Sequence, residues 1–207
     1  MQNINLKSAI VSTGEEYGIS LSPEQVDRSI CYINLLRRWN RRISLTSVAD
    51  DRELVRFHLF EGFFAEKKLP LSLNSLADIG SGAGFPGIPM HIMQPERETF
   101  YIEKSLKKAT FLSSVLRELS LSGQVINSSS EQVSIWNKIE LATVRALKLS
   151  GPTLKDLFTA GVHLLILEGT ISQLAGKPWK IILEVDCPFS EKRMLRIFSP
   201  DVSRETK

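Results

Sequence analysis

The segment LADIGSGAGFPGIPM, residues 76–90, places four glycines and two prolines directly behind a short apolar run. Glycine adopts positive φ and lets a ligand approach the backbone, and the free amides at a helix start favour an anion. We therefore predict a strand at LADI, a turn at GSGAG and a helix over residues 85–93. Such a strand–turn–helix unit points to an α/β fold with a ligand at the turn.

From this segment onward, short apolar runs alternate with helical stretches. The predicted strands are SLADIG, TFYIEK, QVINS, IELATVRA and VHLLILEG, and Leu106–Leu119 is predicted as a helix between two of them. Alternation of this kind is typical of a mainly parallel sheet covered on both faces. The last two runs, WKIILEVDCP and RMLRIFSP, are separated by only four residues, which predicts an antiparallel C-terminal hairpin.

The first third of the chain has helical patterns instead. Ser22, Pro23 and Gln25 match a capping box with a proline in the first turn. Asp50 and Glu53 repeat the box spacing before a third helix, whose predicted buried stripe is Leu54, Phe57, Phe60 and Phe64. We predict a helical extension over residues 1–70 and an α/β domain over residues 71–207.

Composition excludes several classes of function. No apolar run is long enough to cross a bilayer, and the first residues do not resemble a secretion signal, so we expect a soluble cytoplasmic protein without membrane contact. Cys31 and Cys187 are far apart, and His58, His91 and His163 have no ligand spacing. Neither a disulfide framework nor a metal site is predicted.

The segment RRWNRR crowds positive charge near the predicted end of the second helix. Its four arginines, Arg37, Arg38, Arg41 and Arg42, surround Trp39, whereas the net charge of the whole chain is only +3. One interpretation is an edge that binds RNA phosphates. The other is a solvated helix end, where cations favour the negative pole of the helix and the tryptophan packs inward.

The glycine turn fits two ligands. Gly82, Gly84 and Gly87 satisfy the dinucleotide pattern GxGxxG, whereas an S-adenosylmethionine pattern, DxGxGxG, is satisfied by Asp78, Gly80, Gly82 and Gly84. Glu103, after the second strand, is placed to accept both hydroxyls of a ribose in either ligand. No candidate residues for hydride transfer follow, and the order of strands, crossovers and final hairpin resembles that of methyltransferases ending in a reversed hairpin, so we favour S-adenosylmethionine.

Four ordered blocks then carry a resemblance to a known family. INLLRRWNRRISLTSVADDRELVRFHLFEG, LADIGSGAGFPGIPM, EKSLKKATFLSSVLRELSL and ATVRAL resemble the RsmG family, also called GidB, over about residues 35–147. This family methylates N7 of a guanine in bacterial small-subunit ribosomal RNA. The resemblance implies a class I S-adenosylmethionine-dependent methyltransferase fold with an N-terminal helical extension. It also implies 16S ribosomal RNA or the small ribosomal subunit as partner, and we expect a monomer.

The resemblance further implies site residues. The family's cofactor contacts fall on Gly80, Phe85, Ser130, Glu131 and Arg145. By this analogy Gly80 admits the methionine part of the cofactor, while Ser130 and Glu131 lie where the adenine edge is read. A structural alternative for Ser130 is a helix cap with Glu131 in the first turn.

Arg145 is the predicted catalytic residue. Guanine N7 already carries a lone pair, so methyl transfer needs alignment and an electrostatic environment more than a base. The planar fork of an arginine can hold a base or a phosphate. We therefore assign Arg145, at the end of the fourth strand, to the substrate as well as to the cofactor.

Several positions depart from the family pattern. The family commonly has aspartate and serine where this chain has Glu61 and Gly62, and lysine where it has Glu168. The segment TISQLAGKPWK is also shorter than the corresponding family helix. These departures leave two alternatives open: a methyltransferase of the same fold acting on another RNA or a small molecule, and a binding module that has lost methyl transfer.

Overall fold

One seven-stranded sheet organises the chain in the computed structural model, which describes residues 5–69, 73–168, 174, 178–189 and 193–201. The strand order is β3-β2-β1-β4-β5-β7-β6. The strands are β1 (Ser75–Ile79), β2 (Glu98–Ile102), β3 (Gly123–Ile126), β4 (Leu141–Arg145), β5 (His163–Glu168), β6 (Trp179–Asp186) and β7 (Met194–Pro200).

The first five strands are parallel, and the last two form the predicted reversed hairpin. Strand β1 pairs in parallel with β2 on one side and β4 on the other, whereas β7 is antiparallel to both β5 and β6. The chain order therefore switches direction beside β1, and open α/β sheets bind ligands at the carboxyl ends of the strands beside such a switch point. The predicted seven strands and the antiparallel hairpin are confirmed.

The helices before the sheet begin largely where the sequence predicts them. They are α1 (Leu6–Glu16), α2 (Pro23–Asn40), α3 (Asp51–Glu53), a π-helical segment (Leu54–Leu59) and α4 (Phe60–Lys67). The capping box at the start of α2 is confirmed, because Ser22 accepts from the Gln25 amide and the Gln25 side chain accepts from the Ser22 amide. Asp50 caps α3 by accepting from the Glu53 amide.

The predicted buried stripe after Asp50 was wrong in part. Phe57 and Phe64 are only half-buried, whereas Val55, Leu59 and Phe63 are fully buried. The reason is the π-helical segment, whose wider i→i+5 turns rotate the following residues relative to an α-helix. As a result His58 in this segment and Glu61 in α4, rather than Phe57 and Phe64, contact Arg145 at the end of β4.

The remaining helices cover the sheet. They are α5 (Gly87–Met93), α6 (Leu106–Leu119) and α7 (Gly151–Thr159). Helix α6 has its predicted bounds, and its buried stripe includes Leu112, Val115, Leu116 and Leu119. Helix α5 begins two residues later than predicted, because residues 85–86 complete the glycine turn.

Two hydrophobic cores lie on opposite faces of the sheet. One contains buried side chains of α1, α2, α4, α5 and α6, and the other is closed by α7 and the 3-10 turns before β4. A buried ion pair between Glu66 of α4 and Arg97 further ties the helical extension to the start of β2. The N-terminal helices thus share one core with the sheet, and the boundary at residue 70 stays a prediction.

Within the described ranges, no helix is both long and apolar enough to cross a membrane. Cys31 and Cys187 are free thiols. No group of three or more histidine, cysteine or acidic side chains there is arranged to hold a metal ion.

Candidate active site

Two adjoining cavities open at the carboxyl ends of the parallel strands. Cavity A, about 610 Å³, lies over the ends of β1 and β2 and is lined by Glu103, Ser130 and Glu131. Cavity B, about 530 Å³, lies between β4 and the π-helical segment and is lined by His58, Phe85 and Arg145. Both volumes are within the range of small-molecule sites. Gly80, Gly82 and Lys108 line both cavities, so a ligand in one is adjacent to a ligand in the other.

The glycine turn forms the wall that the two cavities share. Gly82 has a φ of +56° and lines both cavities, and a Cβ there would make only an ordinary contact, 3.7 Å from the Gly80 carbonyl oxygen. Gly84 also has a positive φ, +92°, but a Cβ there would contact Ile88 and the Tyr32 hydroxyl. Gly82 therefore exposes backbone to a ligand, whereas Gly84 permits close packing and lines neither cavity.

Asp78 lies beneath this turn rather than in a cavity. Its side chain is 1% exposed and faces Gly87, where an added Cβ would be 2.5 Å from the Asp78 carboxylate. Burial raises the pKa of Asp78 to about 7, against the opposing effect of the Gly87 amide and the Ser81 hydroxyl. Its position indicates support for the turn, because it lines neither cavity.

Glu103 is held rigidly at the floor of cavity A. One of its carboxylate oxygens accepts from the Gly82 amide at 2.9 Å, and the other accepts from the Ser105 amide at 2.8 Å. Because each carboxylate oxygen has more than one lone pair, both can still accept from a ligand. The carboxylate is thus oriented by the same turn that lines the cavity, which suits a ribose that donates two hydroxyls.

Ser130 and Glu131 lie across cavity A from Glu103. Ser130 is not a helix cap, because the short 3-10 turn Ser130–Gln132 begins after Ser129 and has no side-chain cap. The Ser130 hydroxyl instead lies 3.0 Å from the hydroxyl of Thr153, which also contacts Ser150, the capping residue of α7. This network joins the predicted adenine-reading segment to the start of α7.

Arg145 extends from the end of β4 into cavity B, where Glu61 holds it. Its Nε lies 3.0 Å from one carboxylate oxygen of Glu61, and the other carboxylate oxygen accepts from Arg193 at 2.8 Å. Glu61 is only 2% exposed. Burial lowers the pKa of Arg145, and the Glu61 charge opposes that shift. Glu61 retains the negative charge of the family's aspartate and orients two cations towards one cavity.

Phe85 and His58 form a stacked pair on the wall of cavity B. Their ring centroids are 4.6 Å apart at an interplanar angle of 22°, and the Arg145 guanidinium lies 5.8 Å from the Phe85 centroid. Burial and the charges of Arg145 and Arg193 lower the pKa of His58 to about 3. His58 is therefore neutral at physiological pH and is not poised as a general base.

Lys108 stands at the junction of the two cavities. It is half-buried and has no ion-pair partner among the residues that the structure describes. An unpaired ammonium at this point suits an anionic group of a ligand, such as a carboxylate or a phosphate.

The arginine cluster lies at the C-terminal end of α2. Arg38, Arg41 and Arg42 are exposed, whereas Arg37 is half-buried and forms an ion pair with Asp51. Trp39 packs inward against Phe111 of α6, with ring centroids 5.8 Å apart. The loop that follows the cluster supplies Leu45 and Thr46 to cavity B, so the exposed arginines lie only a few residues before part of that cavity's wall.

The remaining departures from the family pattern are Gly62, Glu168 and the shortened segment after β5. Gly62 packs against the start of α5, where a Cβ would be 2.6 Å from Pro89, so the serine of the family does not fit this packing. Strand β5 ends at Glu168, and most of the shortened segment TISQLAGKPWK lies outside the described residues.

Sequence patterns did not identify four of the cavity residues as functional: Thr46, His58, Lys108 and Arg193. His58 and Arg145 are hydrogen-bonded although they are 87 positions apart in the chain. No local spacing could have joined them. Lys108 alone had a nearby signal, because it follows the predicted ribose-binding Glu103 by five residues on the next helix.

Comparison with known proteins gives a consistent result. Residues 25–185 match the family model GidB, rRNA small subunit methyltransferase G. A ribosomal RNA small subunit methyltransferase G from Xylella fastidiosa strain M23 is 36% identical over 172 residues, covering 80% of this chain and 77% of its own. One from Clostridium beijerinckii is 33% identical over 141 residues, covering 65% of this chain and 59% of its own.

Among solved structures, a SAM-dependent methyltransferase from Aquifex aeolicus superposes with a TM-score of 0.55 at 13% identity. The alignment covers 81% of this chain and 98% of that one. At this identity the superposition shows a shared fold alone. Together with the seven-stranded sheet, it confirms the predicted class I methyltransferase fold.

Proposed function

Because this chain belongs to the GidB family, rRNA small subunit methyltransferase G, we propose that it methylates N7 of a guanine in small-subunit ribosomal RNA. The resemblance inferred from the four sequence blocks is confirmed by the family model and by the relatives. The chain is an S-adenosylmethionine-dependent ribosomal RNA methyltransferase. The choice of nucleotide atom, the roles of single residues, the cytoplasmic location and the monomeric state are parts of the proposal.

The observation that supports this proposal most strongly is the junction between the two cavities. Cavity A offers a carboxylate and hydroxyls suited to a nucleoside, and cavity B offers cations and a stacked aromatic pair suited to a nucleotide. Gly80 and Gly82 belong to both. A methyl donor in cavity A would therefore present its methyl group directly to an acceptor in cavity B.

The residues of cavity A fit S-adenosylmethionine. When bound, this cofactor supplies an electrophilic methyl group on a sulfonium. Gly80 and Gly82 would contact its methionine part through bare backbone, and Glu103 would accept from the ribose hydroxyls. Ser130 and Glu131 would lie at the adenine edge, while Asp78 and Gly84 hold the turn from below.

The residues of cavity B fit a guanine that needs no base. Because N7 carries no proton, the protein has to align the ring and stabilise the charge that develops on it. Phe85 and His58 present an aromatic wall. Among the described residues the Arg145 side chain is hydrogen-bonded to His58 and forms an ion pair with Glu61, so it keeps further donors for a ligand. Arg145 would hold the O6 side of the base or its phosphate.

Substrate RNA would approach over the arginine cluster. Arg38, Arg41 and Arg42 are exposed beside the loop that reaches cavity B, and phosphate contacts of this kind position an RNA without reading its sequence. Arg37 contributes less, because Asp51 already neutralises it.

The proposal is tested by methylation in vitro. Small ribosomal subunits and naked 16S ribosomal RNA from a strain lacking the gene are incubated with the protein and labelled S-adenosylmethionine. The product is then cleaved chemically at N7-methylguanine. We expect one cleavage site in at least one of the two substrates. Labelled RNA that resists this cleavage would contradict the choice of N7.

A matched variant separates the two roles assigned to Arg145. Arg145→Lys keeps a positive charge and loses the planar fork, so we expect methyl transfer to fall about a hundredfold while S-adenosylmethionine affinity changes less than about threefold. Equal losses in calorimetric affinity and in single-turnover rate would assign Arg145 to the cofactor alone.

A further inference from the structure

Thr46 is fixed on the wall of cavity B by the side chain of Asn40. The Asn40 amide nitrogen donates to the Thr46 carbonyl at 2.9 Å. Its amide oxygen accepts from the backbone amides of Leu45 at 2.8 Å and Thr46 at 3.1 Å. The last residue of α2 thereby closes the loop, and both Leu45 and Thr46 line the cavity.

The hydrogen bonds that reach Thr46 have a defined direction. A guanidinium nitrogen of Arg145 lies 2.8 Å from Nδ1 of His58. Because a guanidinium can only donate, Nδ1 must accept. Burial and two neighbouring arginines lower the pKa of His58 to about 3, so the ring is neutral and its single proton is on Nε2.

The Thr46 hydroxyl is consequently restricted to donating. His58 Nε2 lies 3.3 Å from Thr46 Oγ1 and donates to it, and the Val48 amide donates to the same oxygen at 3.2 Å. A hydroxyl oxygen has two acceptor lone pairs, and both are used here. The hydroxyl proton has no acceptor among the described residues, and Thr46 lines the cavity proposed for the substrate base.

We propose that Thr46 selects guanine over adenine in cavity B by donating its hydroxyl proton to O6 of the base. Guanine presents two adjacent acceptors, O6 and N7, whereas adenine has an amino group in place of O6. A donor-only hydroxyl stabilises the first and repels the second, and it leaves the N7 lone pair free for the methyl group. This inference rests on the proposed function, because it assumes that the acceptor is a guanine.

The test compares bases at one position in the RNA. The substrate is a small-subunit ribosomal RNA, or a fragment of it that the wild-type protein methylates, with the mapped target guanine replaced by 2-aminopurine or adenine. 2-Aminopurine keeps N7 and lacks O6. We expect wild-type kcat/KM to be at least about tenfold higher for guanine than for 2-aminopurine, the effect of one missing hydrogen bond.

Three variants then assign the discrimination to the hydroxyl. Thr46→Val removes it at constant shape, Thr46→Ser keeps it, and Ser47→Ala removes an exposed hydroxyl from the same loop as a control. We expect Thr46→Val to lose about tenfold on guanine and to change less than about threefold on 2-aminopurine. Thr46→Ser and Ser47→Ala should keep the wild-type preference, and calorimetry should show unchanged S-adenosylmethionine affinity in all three.

The outcomes are distinguishable. If the wild-type protein methylates guanine and 2-aminopurine equally, or if Thr46→Val keeps the full preference, the inference is overturned. The comparison of guanine with 2-aminopurine uses the wild-type protein, so it can overturn the inference even if Thr46→Val does not fold. If the wild-type protein methylates no guanine at N7, the proposed function fails instead.

Discussion

The Glu61 carboxylate offers a sharp test of how cavity B is held together. It is 2% exposed and forms ion pairs with Arg145 at 3.0 Å and Arg193 at 2.8 Å. The two arginine side chains differ in exposure, 13% for Arg145 and 38% for Arg193. Glu61→Gln keeps the shape of the side chain and removes its charge, so Arg145, whose side chain is largely but not fully buried, is left without this counter-ion.

The expected cost follows from that difference in exposure. Breaking a buried ion pair from one side costs about 3–5 kcal/mol, whereas an exposed pair contributes about 0–1 kcal/mol. Most of the loss should therefore arise at Arg145. In a protein of this size, each kcal/mol of lost stability lowers the melting temperature by about 2–4 °C. The melting temperature of Glu61→Gln should therefore fall by roughly 6–20 °C.

The assay is urea and thermal unfolding of a double-mutant cycle. Glu61→Gln is combined with Arg145→Gln and, separately, with Arg193→Gln, and Glu118→Gln serves as a control from the exposed pair with Arg117. We expect a coupling free energy above about 2 kcal/mol with Arg145, below about 1 kcal/mol with Arg193, and a change within about 0.5 kcal/mol for the control. A loss below about 1 kcal/mol for Glu61→Gln, or stronger coupling to Arg193, would refute this reasoning.

Three further predictions follow from the same geometry. Gly82→Ala should abolish calorimetric binding of S-adenosylmethionine and lower the free energy of unfolding by about 1–2 kcal/mol. Gly84→Ala should lower the free energy of unfolding by more, because its Cβ would clash with Ile88. A larger loss of stability in Gly82→Ala than in Gly84→Ala would refute the assignment. Neutralising Arg38, Arg41 and Arg42 should reduce the slope of log binding constant against log salt concentration for RNA by about 0.7–0.9 for each phosphate that is no longer bound. Fluorescence anisotropy measures this slope, and an unchanged slope would favour the interpretation as a solvated helix end. Although Asp78, whose pKa is raised to about 7, acts in the opposite direction, the pKa of His58 is lowered from 6.5 to about 3 and the unfolded chain binds the His58 proton first as pH falls, so His58 should contribute a decline in stability below pH 6.5 of up to about 1.4 kcal/mol per pH unit. His58→Gln should remove that contribution, so its stability should fall less than that of the wild type between about pH 6.5 and 5 in melting curves, and identical pH dependences would contradict the neutral buried ring.

Local periodicity predicted most of the fold because strands and helix caps depend on residues that are close in sequence. The seven apolar runs became the seven strands, and Ser22 and Gln25 formed their capping box. The stripe after Asp50 failed at the π-helical segment, because sequence periodicity assumes α-helical turns. That failure lies beside cavity B, where the same segment supplies His58.

The candidate site was predictable only where a motif joins it to one strand end. The glycine turn and Glu103 were found in this way, and they lie together as expected. The motif could not distinguish Gly82, which faces a cavity, from Gly84, which packs on a helix. Thr46 and Arg193 were not identified, because only the folded chain brings them beside Arg145.

The most direct test of the central claim is mass-spectrometric mapping of 16S ribosomal RNA from a strain lacking the gene. We predict the loss of one methyl group from a single guanine, restored by the wild-type gene and not by the Arg145→Lys variant. A methylation pattern identical to that of the parent strain would contradict the account.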